Sequence, residues 1–168
     1  MVFRILDASA FYAGIPFASL EKCYTTPDVF DEIKHIKKNQ EAVNVLLETK
    51  RLEVIRPEEK YVEKVLQKAE NTGDFQNLSK GDISIIALCL QLDGELVTDD
   101  FSVSNIVKHL NLNVTPVMTK GITYVVNWIY FCPGCQKTFL KMSKCPLCGN
   151  ILNRRLGKRK PSTNPISK

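Results

Sequence analysis

The sequence predicts an α/β domain with a central parallel sheet, followed by a small β module. Over residues 3–116, apolar segments of strand length alternate with amphipathic segments of helical length, a pattern typical of parallel βαβ units. Two Cys-X-X-Cys pairs follow within residues 132–148. At 168 residues, the chain is long enough for one ordinary domain and one such module.

Local signals place the individual elements. Strands are predicted at residues 3–6, 52–55, 94–98, 114–116 and 122–131. Helices are predicted from Thr26 onward and at residues 40–50, 58–71, 79–92 and 101–110. The helix over 79–92 is apolar almost all round, so we expect it at the centre of the core. Cys23 and Cys89 lie in apolar surroundings and are expected to be buried thiols.

Charge divides the chain into two unlike parts. Residues 1–100 carry all 18 acids against 12 Lys and Arg, whereas residues 101–168 carry 11 Lys and Arg and no acid. A basic part of this length predicts a polyanionic partner, and we expect nucleic acid. The alternative is a basic tail that aids solubility or only orients the chain weakly on a membrane.

The apolar segments predict neither a signal peptide nor a membrane span. Arg4 and Asp7 interrupt the apolar N-terminus. The longest apolar run, residues 122–131, contains Thr123 and Asn127 and is shorter than the roughly 20 residues that a membrane helix needs. We therefore expect a soluble, cytoplasmic protein with no membrane partner.

Four acidic positions lie where a parallel sheet would gather them. Asp7 ends the first strand, Asp99 and Asp100 end the strand over 94–98, and Asp82 begins a helix. Because parallel strands end at one edge of the sheet, these carboxylates are expected to converge. With Asp99 and Asp100 counted as one position, Glu32, on the helix that follows Thr26, is the fourth.

Each acid also has a structural alternative. Asp7 suits a helix N-cap, and Asp82 could close a capping box with Ser79. Glu32 could be an ordinary solvated helix residue. Converging carboxylates, however, repel one another unless divalent cations are bound. Mg²⁺ or Mn²⁺ in such a cluster can activate water for phosphodiester hydrolysis.

The stretches LDASAF, TTPDVFDEI, LSKGDISIIALCL and LVTDDFSVSN, in this order, resemble the acidic motifs of PIN-domain nucleases. The resemblance implies a PIN-like domain with a central parallel sheet and metal-dependent endoribonuclease activity. Ser9 and Thr98 would offer hydroxyl groups to the same pocket. The implied catalytic and metal-binding set is Asp7, Glu32, Asp82 and Asp100, with Asp99 as an additional candidate.

The cysteine pairs predict a structural zinc site. Cys132, Cys135, Cys145 and Cys148 form two Cys-Pro-X-Cys turns separated by nine residues. Four thiolates in this arrangement suit a closed tetrahedral Zn²⁺ site. A redox pair or disulfides are the alternative. Gln136 follows the first turn where Gly149 follows the second, so the two turns are expected to differ in geometry.

Aromatic and basic residues of the module are candidates for RNA contact. One face of the predicted strand carries Tyr124, Trp128 and Tyr130, which could stack on bases or simply form the core. A ribbon rich in cations could also clamp an RNA backbone. The candidate RNA-binding residues are Lys137, Lys141, Lys144, Arg154, Arg155, Lys158, Arg159 and Lys160.

A PIN domain followed by a four-cysteine zinc ribbon resembles the Nob family of ribosome-maturation endonucleases, in its compact archaeal form. We therefore expect a PIN-like domain over 1–118, a zinc ribbon over 119–153 and a basic tail over 154–168, and we expect the tail to be disordered from Gly157 when free. The resemblance implies cleavage of precursor small-subunit rRNA at its mature 3′ end, on the pre-ribosomal particle with its assembly factors. Ser104 stands where that family has Gln.

The leading hypothesis is therefore a Mg²⁺- or Mn²⁺-dependent endoribonuclease whose zinc ribbon binds rRNA. A toxin-type PIN ribonuclease is one alternative, although such toxins usually lack a ribbon. A non-catalytic RNA-binding assembly factor is the other.

Overall fold

A computed structural model describes residues 2–34, 40–140 and 143–161 of the chain. Five short strands form a parallel sheet: β1 (Arg4–Leu6), β2 (Cys23–Thr25), β3 (Leu52–Val54), β4 (Glu95–Val97) and β5 (Asn113–Thr115). Their order across the sheet is β3-β2-β1-β4-β5. The strand that carries Asp7 at its end is therefore the central one. The predicted parallel sheet is confirmed.

Seven helices connect these strands within the described ranges: α1 (Ala8–Tyr12), α2 (Ile15–Ala18), α3 (Pro27–Ile33), α4 (Gln40–Glu48), α5 (Glu59–Thr72), α6 (Lys80–Leu92) and α7 (Phe101–His109). Alternate residues of β1 face opposite sides of the sheet. Ile5 packs in a cluster with residues of α5, α6 and α7. Leu6 packs in a second cluster with residues of α1, α3 and α4. Both faces of the sheet are thus covered, as its near-continuous apolar strands predict.

Helix α6 is the core helix that the sequence predicts. Ile85, Ile86 and Leu88 have no exposed surface. Thr26 begins α3 with Pro27 at its first position, as expected. Cys23 and Cys89 are both buried, and burial raises the pKa of Cys89 to about 12. Within the described ranges, no helix has the length and apolar character that a membrane span requires.

The C-terminal module, here called the ribbon (residues 124–161), is an antiparallel sheet. It consists of β6 (Tyr124–Phe131), β7 (Thr138–Phe139) and β8 (Asn153–Pro161), in the order β7-β6-β8. β8 pairs with β6 along its length, from Asn153 opposite Phe131 to Pro161 opposite Tyr124. The expectation of disorder from Gly157 is therefore wrong as far as Pro161. Residues 162–168 lie outside the described ranges.

The ribbon is fixed to the α/β domain by buried hydrogen bonds. The side-chain amide of Asn105 donates to the carbonyl oxygen of Val126 at 2.9 Å and accepts from the N–H of Val126 at 2.8 Å. Farther along β6, the Tyr130 hydroxyl donates to the carbonyl oxygen of Gly73 at 2.7 Å. These bonds join α7 and the end of α5 to the ribbon, which therefore has a defined position relative to the sheet.

Candidate active site and metal centre

Asp7 lies at the carboxyl end of the central strand and is only 7% exposed. Its Oδ1 atom accepts from the N–H of Ala8 at 2.7 Å, and its Oδ2 atom accepts from the hydroxyl of Thr98 at 2.7 Å. Thr98 follows the neighbouring strand β4. Asp7 is thus the N-cap of α1, and this capping role is compatible with a place in the candidate site.

Asp82 and Asp100 are also held at helix N-termini. Asp82 forms a capping box with Ser79, in which its carboxylate accepts from the Ser79 N–H at 2.7 Å. Asp100 caps α7 and accepts from the N–H of Val103 at 2.9 Å. Capping fixes these carboxylates, and the positive helix ends partly offset the cost of placing acids close together.

Electrostatic coupling shows that the four acids are neighbours. Burial raises the pKa of Asp7, and the charges of Asp82 and Asp100 raise it further. Burial and then the charge of Asp100 raise the pKa of Asp82. Loss of solvent raises the pKa of Glu32, and the charges of Asp7, Asp82 and Asp28 add to this. A cluster with this mutual repulsion is suited to binding a cation.

Gly81 makes room for the carboxylate of Glu32, a role that sequence patterns did not reveal. A Cβ atom added to Gly81 would lie 2.5 Å from Oε1 of Glu32. Helix α3 therefore brings Glu32 against the first turn of α6, next to Asp82. A glycine within a predicted helix, beside an acid, was the available signal, because glycine there lowers helix stability and needs a packing reason.

Asp99 does not point toward this group. Its Oδ1 accepts from the N–H of Val117 at 2.9 Å, and its Oδ2 accepts from the N–H of Met118 at 2.8 Å. Thr119 donates to Oδ1 through its hydroxyl at 2.9 Å. Although burial opposes the change, these bonds lower the pKa of Asp99. Asp99 therefore holds the connector to the ribbon, whereas the N–H of Asp100 donates to the Thr98 hydroxyl that is bonded to Asp7. The N–H of Asp99 in turn donates to the Ser9 hydroxyl.

The acids are spread more widely than ligands in direct contact with one small ion. Among the described residues, the four cysteines are the metal-binding side chains whose ligand atoms all lie within 4.8 Å of one another. Mg²⁺ usually keeps several of its water ligands and takes only one or two carboxylates directly. The all-oxygen acid cluster fits such a hydrated ion better than it fits a metal that prefers nitrogen or sulfur.

The four cysteines form a compact sulfur cluster. The Sγ atoms of Cys132 and Cys148 are 3.3 Å apart, and those of Cys135 and Cys145 are 3.5 Å apart. A tetrahedron with Zn–S bonds of about 2.3 Å has S···S edges of about 3.8 Å. Disulfide sulfurs are about 2.05 Å apart, and all four cysteines are free. The donor set fits one zinc ion, and the disulfide alternative is not what the structure contains.

The two cysteine turns have the same backbone geometry, contrary to expectation. Gln136 adopts a positive φ of 58°, and Gly149 at the matching position adopts 72°. In each turn, the N–H of this residue donates to the carbonyl oxygen of the first cysteine at 2.9 Å. Within the first turn, the N–H of Cys135 donates to Sγ of Cys132 and lowers the pKa of that thiol. Glutamine thus accepts the left-handed conformation here.

The candidate RNA-binding cations have different surroundings. The guanidinium of Arg154 lies 4.1 Å from the centre of the Trp128 ring and 3.8 Å from the buried carboxylate of Asp74. That carboxylate also accepts from Asn105 at 2.7 Å, and burial raises the pKa of Asp74. Arg154 therefore joins the ribbon to the α/β domain. Arg154 is itself partly exposed. The other described candidates, also exposed to solvent, are Lys137, Lys144, Arg155, Lys158, Arg159 and Lys160; Lys141 lies outside the described residues.

The aromatic residues of β6 divide in the same way. Tyr130 is 4% exposed and forms part of the ribbon core with Cys132, Cys145 and Leu152. Tyr124 is 52% exposed at the other end of the strand. Tyr130 is thus part of the core, whereas Tyr124, on the same strand, is available to contact RNA.

Comparison with known proteins identifies related chains. Residues 5–92 match the family described as the PIN domain of ribonuclease. Endoribonuclease Nob1 of Methanocaldococcus jannaschii is 34% identical over 162 residues, which cover 94% of this chain and 80% of that protein. Ribonuclease VapC1 of Thermoplasma acidophilum is 40% identical over 110 residues, covering 65% and 57%.

A yeast relative extends the similarity to eukaryotes. The 20S-pre-rRNA D-site endonuclease NOB1 of Saccharomyces cerevisiae is 39% identical over 80 residues, covering 46% of this chain and 17% of that protein. The Methanocaldococcus alignment, in contrast, includes nearly the whole chain. On the strength of the PIN match and this similarity over 94% of its length, the chain belongs to the Nob1 family of PIN-domain endoribonucleases.

Proposed function

We propose that this protein cuts precursor small-subunit rRNA at its mature 3′ end, in a reaction that depends on Mg²⁺ or Mn²⁺. The observation that carries the proposal is the environment of Asp7. Its carboxylate is 7% exposed, and burial together with the charges of Asp82 and Asp100 raises its pKa. An acid kept in such an unfavourable position is typical of a functional site, and a divalent cation would relieve the repulsion.

Each residue of the cluster has a proposed role. Asp7, Asp82 and Asp100 would hold the cation or its water ligands, and Glu32 would complete the negative site. Thr98 orients Asp7 through its hydroxyl group. When bound, the cation would activate water and stabilise the charge of the phosphodiester in the displacement. Asp99 is left out of this set because its oxygens accept from the connector.

The substrate proposal rests on the relatives and on charge. The yeast relative is named as a 20S-pre-rRNA D-site endonuclease, and residues 101–168 of this chain contain no acid. A positively charged ribbon would attract RNA toward an acid cluster that repels it. The proposed partners are the rRNA precursor, the pre-ribosomal small subunit and its assembly factors, in the cytoplasm. The four cysteines would hold one structural Zn²⁺.

An RNA oligonucleotide that spans the small-subunit rRNA 3′ end tests this function. We expect cleavage at one position with Mn²⁺ or Mg²⁺ and none when both are omitted. Asp7→Asn should abolish cleavage and leave RNA binding nearly unchanged. Asp93→Asn, at the opposite end of α6 from Asp82, is the matched control and should cleave normally. Full cleavage by a folded Asp7→Asn protein would overturn the mechanism.

The same assay separates the alternatives. A toxin-type ribonuclease would cleave unrelated RNAs as readily as the rRNA sequence. The similarity to VapC1 covers 65% of this chain, so it leaves about a third of the chain unmatched. A non-catalytic assembly factor would bind the oligonucleotide and leave it uncut at every metal concentration.

A further inference from the structure

A groove of about 380 Å³ lies between the start of α7 and the ribbon sheet. Phe101 forms part of the wall on the α7 side, and in the chain it directly follows Asp100, one of the four acids. Tyr124, Trp128, Leu156 and Arg159 line it on the ribbon side. Trp128 pairs with Leu156 across β6 and β8, which places these two side chains on one face of the sheet.

Two walls of the groove carry exposed aromatic rings. Phe101 is 44% exposed and Tyr124 is 52% exposed. Trp128 is held by the guanidinium of Arg154, 4.1 Å from its ring centre. In the described part of the chain, the indole N–H of Trp128 has no hydrogen-bond acceptor. That N–H is buried, so the surface that the groove offers to a ligand consists of flat apolar rings.

The charge of the groove suits a polyanion. None of the residues that line it is acidic, and Arg159 contributes a cation. A ligand with flat rings and a negative backbone matches both features, and single-stranded RNA is such a ligand. In an RNA duplex the bases are stacked inside, and proteins contact mainly its backbone and shape. An aromatic groove therefore favours unpaired bases.

We propose that this groove holds unpaired bases of the RNA strand whose backbone reaches the acid cluster. The inference rests on the proposed nuclease function, because the bound strand is the one to be cut. The volume lies within the range of about 300–1,000 Å³ found for small-ligand sites. Phe101 and Tyr124 supply the stacking surfaces, and Arg159 contacts the backbone.

Binding measurements without added Mg²⁺ or Mn²⁺ test the groove separately from cleavage. Phe101→Ala and Tyr124→Ala should each weaken binding of a single-stranded oligoribonucleotide by roughly 5- to 150-fold, the range for loss of one stacked base. Phe101→Tyr keeps an aromatic ring and should bind as tightly as the unmodified protein. Phe75→Ala is the matched control, because Phe75 is 45% exposed but lies outside the groove. Binding of a duplex of the same sequence should not respond to any of these changes.

The single tryptophan of the chain gives a second readout, because Trp128 lines the groove. Single-stranded RNA should change its fluorescence at saturation, and duplex RNA should not. Unchanged single-strand affinity in a folded Phe101→Ala/Tyr124→Ala protein would overturn the proposal. A different outcome is that the double variant loses affinity and the unmodified protein leaves the rRNA oligonucleotide uncut. That outcome would support the groove as an RNA-binding site and reject the nuclease function.

Discussion

The hydroxyl of Thr98 donates a hydrogen bond to Oδ2 of Asp7 at 2.7 Å and so joins the ends of two neighbouring parallel strands. The same hydroxyl accepts from the N–H of Asp100 at 3.1 Å. One side chain thus connects two acids of the site. Because the bond stabilises the ionised form, it lowers the pKa of Asp7 against the opposing effect of burial.

Thr98→Val should therefore raise the pKa of Asp7 and move the acidic limb of the pH–rate profile to higher pH. A hydrogen bond to a charged group contributes about 1.5–3 kcal/mol, so cleavage at a pH on the acidic limb should fall by roughly ten-fold or more. Thr98→Ser keeps the hydroxyl and should retain the original profile. An unshifted acidic limb in Thr98→Val would show that Thr98 has only a structural role.

Divalent cations should stabilise the protein more at pH 7.5 than at pH 5. Burial raises the pKa values of Asp7, Asp82 and Glu32 above their ordinary values. An acid with a raised native pKa favours folding when protonated, so this stability is present near pH 4 and is lost as pH rises through the native pKa. A cation bound to the ionised cluster should restore it.

Thermal unfolding with and without Mg²⁺ at the two pH values measures this effect. At 100 times its dissociation constant a ligand adds about 2.7 kcal/mol. Asp7→Asn should show a smaller gain, and Asp93→Asn should match the unmodified protein. An equal gain at both pH values would contradict a metal site built from these acids.

The elements that could be predicted have strong local signals. Thr26 followed by Pro27 defines the start of α3, and the apolar residues of α6 define the core helix. Strand β8 was missed because its residues, rich in Arg and Lys, have no apolar alternation and resemble a solvated tail. It is a strand because it pairs with β6, and such long-range pairing cannot be predicted from a local sequence pattern.

The candidate site could be proposed from the sequence as a set of acids, but its contacts could not be predicted. Sequence motifs indicated Asp7, Glu32, Asp82 and Asp100. The motif resemblance favoured Asp100 and kept Asp99 as an additional candidate, and only the folded connector shows that Asp99 bonds to residues 117–119. Asp74, buried between the two modules, has no sequence signal beyond the turn that contains it.

Gly81→Ala should reduce cleavage without weakening the fold. The added Cβ would lie 2.5 Å from Oε1 of Glu32 and force that carboxylate away from Asp82. Alanine favours a helix over glycine by about 1 kcal/mol, so the helix itself should gain stability. Displacement of a catalytic group by about 1 Å can cost roughly 100-fold in rate.

Glu32→Gln is the matched variant for this prediction, because it removes the charge and leaves the space. Single-turnover cleavage rates and melting temperatures of both proteins provide the comparison. If Gly81→Ala cleaves at the normal rate while Glu32→Gln does not, cleavage depends on the charge of Glu32 and not on the exact position of its carboxylate.

Neutralising exposed cations of β8 should flatten the salt dependence of RNA binding. Lys158 and Lys160 are exposed and have no acid within the ribbon to pair with. Removal of one ion pair with a phosphate of single-stranded RNA should reduce the slope of log K against log salt by about 0.7. Lys158→Gln and Lys160→Gln are therefore compared with Lys64→Gln, an exposed lysine of α5. Equal slopes in all three would remove β8 from the RNA-binding surface.

The sulfur cluster should bind one zinc ion per chain, and the loss of one ligand should affect the ribbon first. Cys148→Ser removes a thiolate from a group whose sulfur atoms lie within 4.8 Å of one another. Structural zinc sites contribute about 10–16 kcal/mol of binding free energy to folding at neutral pH, so β6, β7 and β8 should lose protection from hydrogen exchange. The sheet of the α/β domain should keep its protection, because its two cores do not include the cysteine turns.

Cys23→Ser, at a buried thiol outside the cluster, should retain the zinc. Elemental analysis of both proteins decides the point, and a full equivalent of zinc in Cys148→Ser would show that this residue is not a ligand.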